Sequence, residues 1–434
     1  MIKKYANAQR IKLFTQYSIL FLILTACLLG QQTLIYAGRL LNPGDGKVLE
    51  NVEILIEGNT IINIGKGLKH DRSARIISLK KETVLPGLID SHTHICLTPD
   101  YGVKPPVLYK TNSYRALEGL AAAQKALLAG FTTLRDIDNE GADMADIAVR
   151  DAIKEGLFMG PRLIVSGWAI SITSGHMNLT GLRPVIDKKV QQYAIMADNK
   201  DAMIAAIRNQ NKTGVDFIKI YSTGTLRHIN RDNYEVLPQY DQEEVEYMVK
   251  EASRWGMDVA THAYGGKGAY DAVAGGVRSI EHGMFLDEKT LNLMVRKGTF
   301  WCPTMTVYLP EEGMNSEDKI FHEEIAKRHR ETFKKAFKKG VKIAFGTDIG
   351  AMPHGDGWTE LETMVNYGMS PVEALNSATE IGAELIRMED KLGRIAPGYL
   401  ADIIAVKGKP DKNIRAMQNV SFVMVNGDVV KHSK

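Results

Sequence analysis

The stretch from about Pro86 to Gly382 constrains the fold most, because short β-branched runs alternate there with longer amphipathic ones. That texture marks repeated βα units on a parallel sheet. Candidate strands are Gly87–His92, Thr132–Asp136, Arg162–Trp168, Phe217–Tyr221, Asp258–His262, Ser279–His282, Thr299–Cys302 and Lys342–Thr347. Helix-like stretches lie between them, including Ser113–Ala129, Gln242–Trp255, Lys267–Ala274 and Arg328–Lys339. Eight strands over this span suit a closed (β/α)8 TIM-type barrel better than an open doubly wound sheet. An open sheet would more often carry a glycine-rich dinucleotide turn after its first strand, and no GxGxxG follows Val84–Asp90.

Both ends of the chain read differently. Strand-like alternation runs through Thr33–Ala37, Val52–Ile56 and Thr60–Ile64, and returns in Ala401–Val406 and Ser421–Gly427. The expected architecture is therefore α/β: a barrel over residues 86–389, and a small β-sandwich built from residues 32–85 and 390–434 together. The 434 residues, 44% of them hydrophobic, supply enough apolar material for one large domain and one small one.

Charge and cysteine usage narrow the partners. The formal charge is +3, from 54 Lys and Arg against 51 Asp and Glu, and no long basic run suits a phosphate backbone, so nucleic acid is excluded as a partner. Cys27, Cys96 and Cys302 are odd in number and far apart, which fits neither a disulfide framework nor a CxxC metal knuckle. Cys27 follows a basic start (Lys3, Lys4, Arg10, Lys12) and an apolar run from Tyr17 to Ala26. This is the layout of a secretory signal over residues 1–27, and the run is short of the roughly 20 residues that cross a bilayer. Leu24-Thr25-Ala26-Cys27 is similar to the lipobox of bacterial lipoproteins, which places the mature chain in the cell envelope, either lipid-anchored through Cys27 or simply secreted to the periplasm.

The chemistry sits at the candidate strand ends. His92 and His94 are two apart, so the period of a strand turns both imidazoles to one face, which in a barrel is the lumen. Lys219, His262, His282 and Asp348 recur at the C-terminal ends of later strands, the rim on which barrel active sites are assembled. Each has an ordinary structural explanation when taken singly: a snorkelling lysine, a satisfied core histidine, a helix cap. Together they point to a metal centre, because a lysine in an apolar strand is costly to bury unpaired and the histidines and aspartate would each need a separate account.

Pro86-Gly87-Leu88-Ile89-Asp90-Ser91-His92-Thr93-His94, with Lys219, His262, His282 and Gly346-Thr347-Asp348, resembles the metal-binding set of the amidohydrolase superfamily. The likeness extends through Leu128-Ala129-Gly130-Phe131-Thr132-Thr133 and Gly393-Arg394-Ile395-Ala396-Pro397-Gly398-Tyr399-Leu400-Ala401-Asp402. Within that superfamily the chain is most similar to the imidazolonepropionase-like branch, which includes Xaa-Pro and Xaa-Arg dipeptidases and ochratoxin-type amidases. The resemblance implies two divalent metal ions. His92, His94 and Asp348 would hold the more buried one and His262 and His282 the other, with Lys219, carboxylated by CO2, bridging them. Four imidazoles with carboxylate oxygens suit zinc, with iron, manganese or cobalt as substitutes. Two such ions would supply a bridging hydroxide near neutral pH, with Asp348 the catalytic residue that takes its proton and hands it to the leaving amine.

His176, in Thr173-Ser174-Gly175-His176, resembles the glycine-histidine loop of this branch and is a candidate for substrate binding. Tyr221 and Tyr264 each stand two residues after a ligand candidate and so share its face; His354 follows in the last loop. Relatives in the dipeptidase branch show a double glycine after the lysine strand, where this chain has Gly224-Thr225 and then Leu226-Arg227-His228. Arg227 and Arg231 in that insert are candidates to clamp a substrate carboxylate. The expected activity is hydrolysis of an amide bond in a dipeptide or N-acyl amino acid. Cyclic-amide hydrolysis and a non-catalytic, metal-stabilised binding lipoprotein are the alternatives, and a homo-oligomer is the assembly the relatives suggest.

Overall fold

The computed structural model describes residues 31–99, 104–179 and 192–433. The signal segment and Cys27 lie outside the described residues. The strands are β1 Gln32–Leu41, β2 Val48–Glu57, β3 Thr60–Gly65, β4 Arg75–Pro86, β5 Leu88–Thr93, β6 Phe131–Asp136, β7 Arg162–Val165, β8 Ile170–Ser171, β9 Ile195–Met196, β10 Ile218–Tyr221, β11 Val259–Gly265, β12 Ser279–Phe285, β13 Phe300–Cys302, β14 Ile403–Val406, β15 Val420–Val425 and β16 Asp428–His432.

The two chain ends join in one seven-stranded sheet, ordered β16-β15-β14-β4-β1-β2-β3. Its centre is the parallel pair of β1 and β4, and the C-terminal strands add to β4 through an antiparallel β14. The sheet curls until β3 meets the segment leading into β14, where the Ile61 amide donates to Tyr399 O and the Ala401 amide to Asn59 O. Alternation along β14 explains its two faces: Ile403 and Ala405 enter the small domain's own core with Ile35, Ile54 and Phe422, whereas Ile404 and Val406 join the core shared with the barrel.

In the barrel, β5-β6-β7 and β8-β10-β11-β12-β13 run parallel. The Asp216 amide donates to Val165 O and links the two groups. The eighth expected strand, Lys342–Thr347, is an extended segment with isolated bridges at Ile343 and Ile349. Its backbone still closes the ring, because Trp301 N donates to Lys342 O, Ser91 N to Phe345 O and Asp348 N to His92 O, at 2.8 to 2.9 Å. Leaving regular pairing frees this segment to turn at Asp348, whose φ of 59° a regular strand could not hold. The other seven strands fall within a few residues of their expected places.

The surrounding helices carry their own start and stop signals. Thr111 accepts the Tyr114 amide ahead of helix Asn112–Leu128, and Asp241 with Glu244 forms a capping box on helix Gln242–Ser253. Left-handed Gly214, Gly298 and Gly340 end three others. The last of these, Ser316–Lys339, begins twelve residues before the expected Arg328, because Asn315 caps it and Phe321 and Ile325 extend its buried face. Among the described residues no helix is long and apolar enough to cross a membrane.

Candidate metal centre

β5, buried along its whole length, delivers His92 and ends just before His94, and both side chains face the lumen as the strand period requires. Lys219 comes from β10, His262 from β11 and His282 from β12, at 1%, 2% and 4% exposure. Asp348 reaches in from the closing segment. Nitrogens of His92 and His94 and an oxygen of Asp348 all lie within 4.8 Å of one another. Asp348 Oδ1 stands 3.2 Å from His94 Nε2 and 3.5 Å from His92 Nε2. The imidazoles continue as a row, with ring centroids 5.2 Å apart from His94 to His92, 4.9 Å from His92 to His282 and 4.6 Å from His282 to His262.

Two of these residues sit on strained backbone. His282 and Asp348 have φ of 71° and 59°, in the left-handed region that costs a non-glycine residue about 1–3 kcal/mol. In both cases the chain is leaving its strand, and the turn points the side chain across the barrel mouth.

The site's electrostatics follow from burial and from one acidic side. Asp136, Asp138 and Glu140 are all buried beside His94. Although burial pulls the His94 pKa down, Asp348, Glu140 and Asp136 outweigh it and raise it to about 10. Asp348 is held well below the carboxylate range: burial would raise it, but the imidazoles of His92 and His94 close beside it outweigh that. On the other side burial depresses His262 and His282, with further lowering from their neighbouring cations, so both are neutral donors. Burial likewise lowers Lys219.

The donor set fits a metal by its own chemistry. His92 Nε2 is buried with no hydrogen-bond partner, while its Nδ1 is 2.9 Å from Glu281 Oε2. That bond places the proton on Nδ1 and leaves a lone pair on Nε2, aimed where His94 Nε2 and Asp348 Oδ1 converge. His262 Nε2 faces Gly224 O at 3.2 Å, which leaves Nδ1 as its lone-pair atom.

Three of the four expected substrate residues gather on the His262 side. His176 stacks on His262 at 4.1 Å and approaches Tyr221 at 4.3 Å; Tyr264 is 4.4 Å from His262. Tyr221 donates its phenol proton to Asp138, so it presents an oxygen already committed as a donor. His354 stands apart from this group, with Nε2 3.4 Å from Leu97 O. Arg231 is drawn to the surface by Glu317 and Asp318, at 3.2 and 3.1 Å, and lies over Phe321. Arg227 is exposed on a single 3-10 turn.

Several further residues support the site. Glu281 joins His92, Arg135 and Ser279; Asp138 anchors Tyr221; Thr304 stands 2.7 Å from His282 Nδ1; Tyr308 packs on His282 and Tyr264. A signal existed for the first two, since an acid inside Ser279-Ile280-Glu281-His282 or after Asp136-Ile137 is as costly to bury as Lys219. Thr304 and Tyr308 lie in irregular chain after β13 and carry no such signal.

The model of the Amidohydrolase family matches residues 83–430. The chain belongs to the amidohydrolase family. Ochratoxinase of Aspergillus niger is 30% identical to it over 431 residues, covering 92% of this chain and 86% of the relative. Among solved structures, a Xaa-Pro dipeptidase with bound methionine in its active site superposes with a TM-score of 0.83 at 35% identity, covering 92% of this chain and 100% of that one. A prolidase complexed with N-methylphosphonate-L-proline gives 0.80 at 29% identity, covering 93% and 100%. Family and relatives together support an amide hydrolase on a barrel with a small β domain from both termini.

Proposed function

We propose that this chain is a two-metal amide hydrolase acting on dipeptides or N-acyl amino acids. The observation that carries the reading is the convergence of His92 Nε2, His94 Nε2 and Asp348 on one point of a row of four imidazoles, with Lys219 buried in the same lumen. His92, His94 and Asp348 would hold one divalent ion, zinc by donor type, and His262 and His282 the second. Lys219, whose lowered pKa favours the neutral amine that attacks CO2, would become an anionic carbamate able to hold both. When bound, two such ions make water a stronger acid and polarise a carbonyl oxygen.

The chain's own residues supply the rest. Asp348, ionised at neutral pH, is the group able to take a proton from the attacking water and pass it to the departing amine. His176, neutral because burial depresses it, has an unpaired Nδ1 and rests against His262, where it could donate to an oxyanion or a substrate carboxylate. Tyr264 stands beside it. Asp138 fixes the Tyr221 phenol, so Tyr221 shapes this wall and positions His176 rather than giving up a proton. The methionine and the prolyl phosphonate held by the two superposed structures favour an amino acid at this lip over a cyclic amide. The basic start and Cys27 make the envelope the proposed location, lipid-anchored or secreted.

The test is turnover of the zinc-loaded full chain against Xaa-Pro, Xaa-Arg and other dipeptides beside N-acyl amino acids. Release of free amino acid is expected. Hydrolysis confined to cyclic amides or lactones would overturn the substrate class.

A further inference from the structure

The two histidine pairs differ in what stands behind them. His92 gives its Nδ1 proton to Glu281, a fully buried carboxylate that is also held by Arg135 Nη2 at 2.8 Å and Ser279 Oγ at 2.5 Å. Arg135 is itself fastened, through Nε to Ser91 O at 2.6 Å and Nη1 to Ser279 Oγ at 3.1 Å. His94 Nδ1 faces a second buried carboxylate, Glu140 Oε1, at 3.3 Å, beside Asp138 O at 3.2 Å. Across the site the partners are neutral: His262 leans on the Gly224 carbonyl and His282 on the Thr304 hydroxyl. Asp348 is also nearer the first pair, 3.2 and 3.5 Å against 3.9 Å to His282 Nδ1.

An imidazole whose far N–H donates to a carboxylate is the more basic ligand, and its ring orientation is fixed more firmly. The carboxylate's charge also acts directly on a cation a few ångströms away, in a site too buried for water to screen it well. The first effect acts through His92 and Glu281 alone, because the His94 Nδ1 hydrogen bond goes to the Asp138 carbonyl, whereas the second acts through Glu281 and the nearby Glu140 together.

We infer that the two metal positions are unequal by construction: the His92/His94/Asp348 position, backed by Glu281 and Glu140, takes its ion first and more tightly, and Glu281 is a positioning residue for it. The inference rests on the two-metal reading above. It concerns affinity and order of filling, which that reading leaves open.

The experiment is a titration of the metal-free full chain with Zn2+ against a competing coloured chelator, with the fold followed by circular dichroism. Two binding steps separated by at least about tenfold are expected. Glu281→Gln should weaken the first step roughly 10- to 100-fold and leave the second where it was. Removing that charge leaves Arg135 buried without its partner, so Glu140→Gln, which spares the Arg135–Glu281 pair, serves as the second variant and should move the same step. Thr304→Val should move only the second. Two steps of equal affinity in the parent, or a first step unmoved by both acidic variants, would overturn the inference while leaving the two-metal reading intact. A parent that binds no zinc would instead overturn that reading itself.

Discussion

Trp301 donates its indole Nε1–H to the carbonyl oxygen of His282 at 2.9 Å, so a side chain with no solvent exposure holds the peptide at which β12 turns into the site. The next residue, Gly283, has φ of 61°, and a Cβ there would stand 2.4 Å from Trp301 Nε1. Gly283→Ala is thus expected to cost both backbone strain and displacement of the indole, about 2 kcal/mol or more. Trp301→Phe leaves the His282 carbonyl without its donor, which should cost about 1–3 kcal/mol. Denaturant unfolding of both variants checks the values, and loss of zinc affinity confined to the weaker position would show that the strain reaches His282.

Glu360 gives a pH dependence of stability. Fully buried, it accepts the Met305 and Thr306 amides at 2.8 Å, and burial raises its pKa from 4.5 to about 7. A carboxyl with a higher pKa folded than unfolded stabilises the fold when protonated. The contribution is complete below about pH 4.5 and is lost as pH rises through about 7. It amounts to roughly 3 kcal/mol at most. Thermal melting of the parent across pH 5 to 8 should show this decline, and Glu360→Gln should make it shallower without abolishing it, because burial also raises Asp90 and Asp146 to about 7. An identical slope in the variant would remove Glu360 as its source.

Lys219 should be carboxylated. Refolding or metal loading in 13C-bicarbonate is expected to give a carbamate resonance that Lys219→Ala lacks, and removal of bicarbonate should lower metal occupancy. A full complement of metal in bicarbonate-free Lys219→Ala would show that no bridging carbamate is needed.

How far the sequence carries depends on where each residue's partner lies. His92 and His94 were legible because a strand's period fixes their common face within three residues. The eight-strand barrel followed from a repeated local pattern, and all seven regular barrel strands have β-branched or aromatic residues to mark them. Glu281, by contrast, acquires its role only when β12 lies across the barrel from β5, 189 residues away in sequence. The same holds for Asp138 and the phenol of Tyr221, 83 residues apart. Arg231 and His354 looked available because their positions near strand ends carry no record of Glu317, Asp318 or Leu97. The seven-stranded terminal sheet was visible as two β-rich ends, but its parallel β1–β4 centre was not, since strand alternation does not say which strands pair.

The substrate wall gives a contrast between two variants. Arg231 is held outward by two carboxylates on an exposed face, so Arg231→Ala should change kcat/KM by less than about threefold, the scale of a surface ion pair. Tyr264 packs 4.4 Å from His262 and 5.7 Å from His282, and Tyr264→Phe should raise KM about tenfold or more if its hydroxyl meets the substrate. Steady-state kinetics on the best dipeptide checks both, and the reverse ranking would move the carboxylate-binding role to Arg231.

The most direct test of the account is paired counting of metal and turnover for the parent and Asp348→Asn, each stripped with chelator and reloaded with zinc in bicarbonate. The parent should carry two ions and regain full hydrolysis on reloading. Asp348→Asn should keep at least the His262/His282 ion and lose hydrolysis by about 100-fold or more, the range for a removed proton-transfer group. Full activity in the stripped parent, or an Asp348→Asn enzyme as fast as the parent, would contradict it.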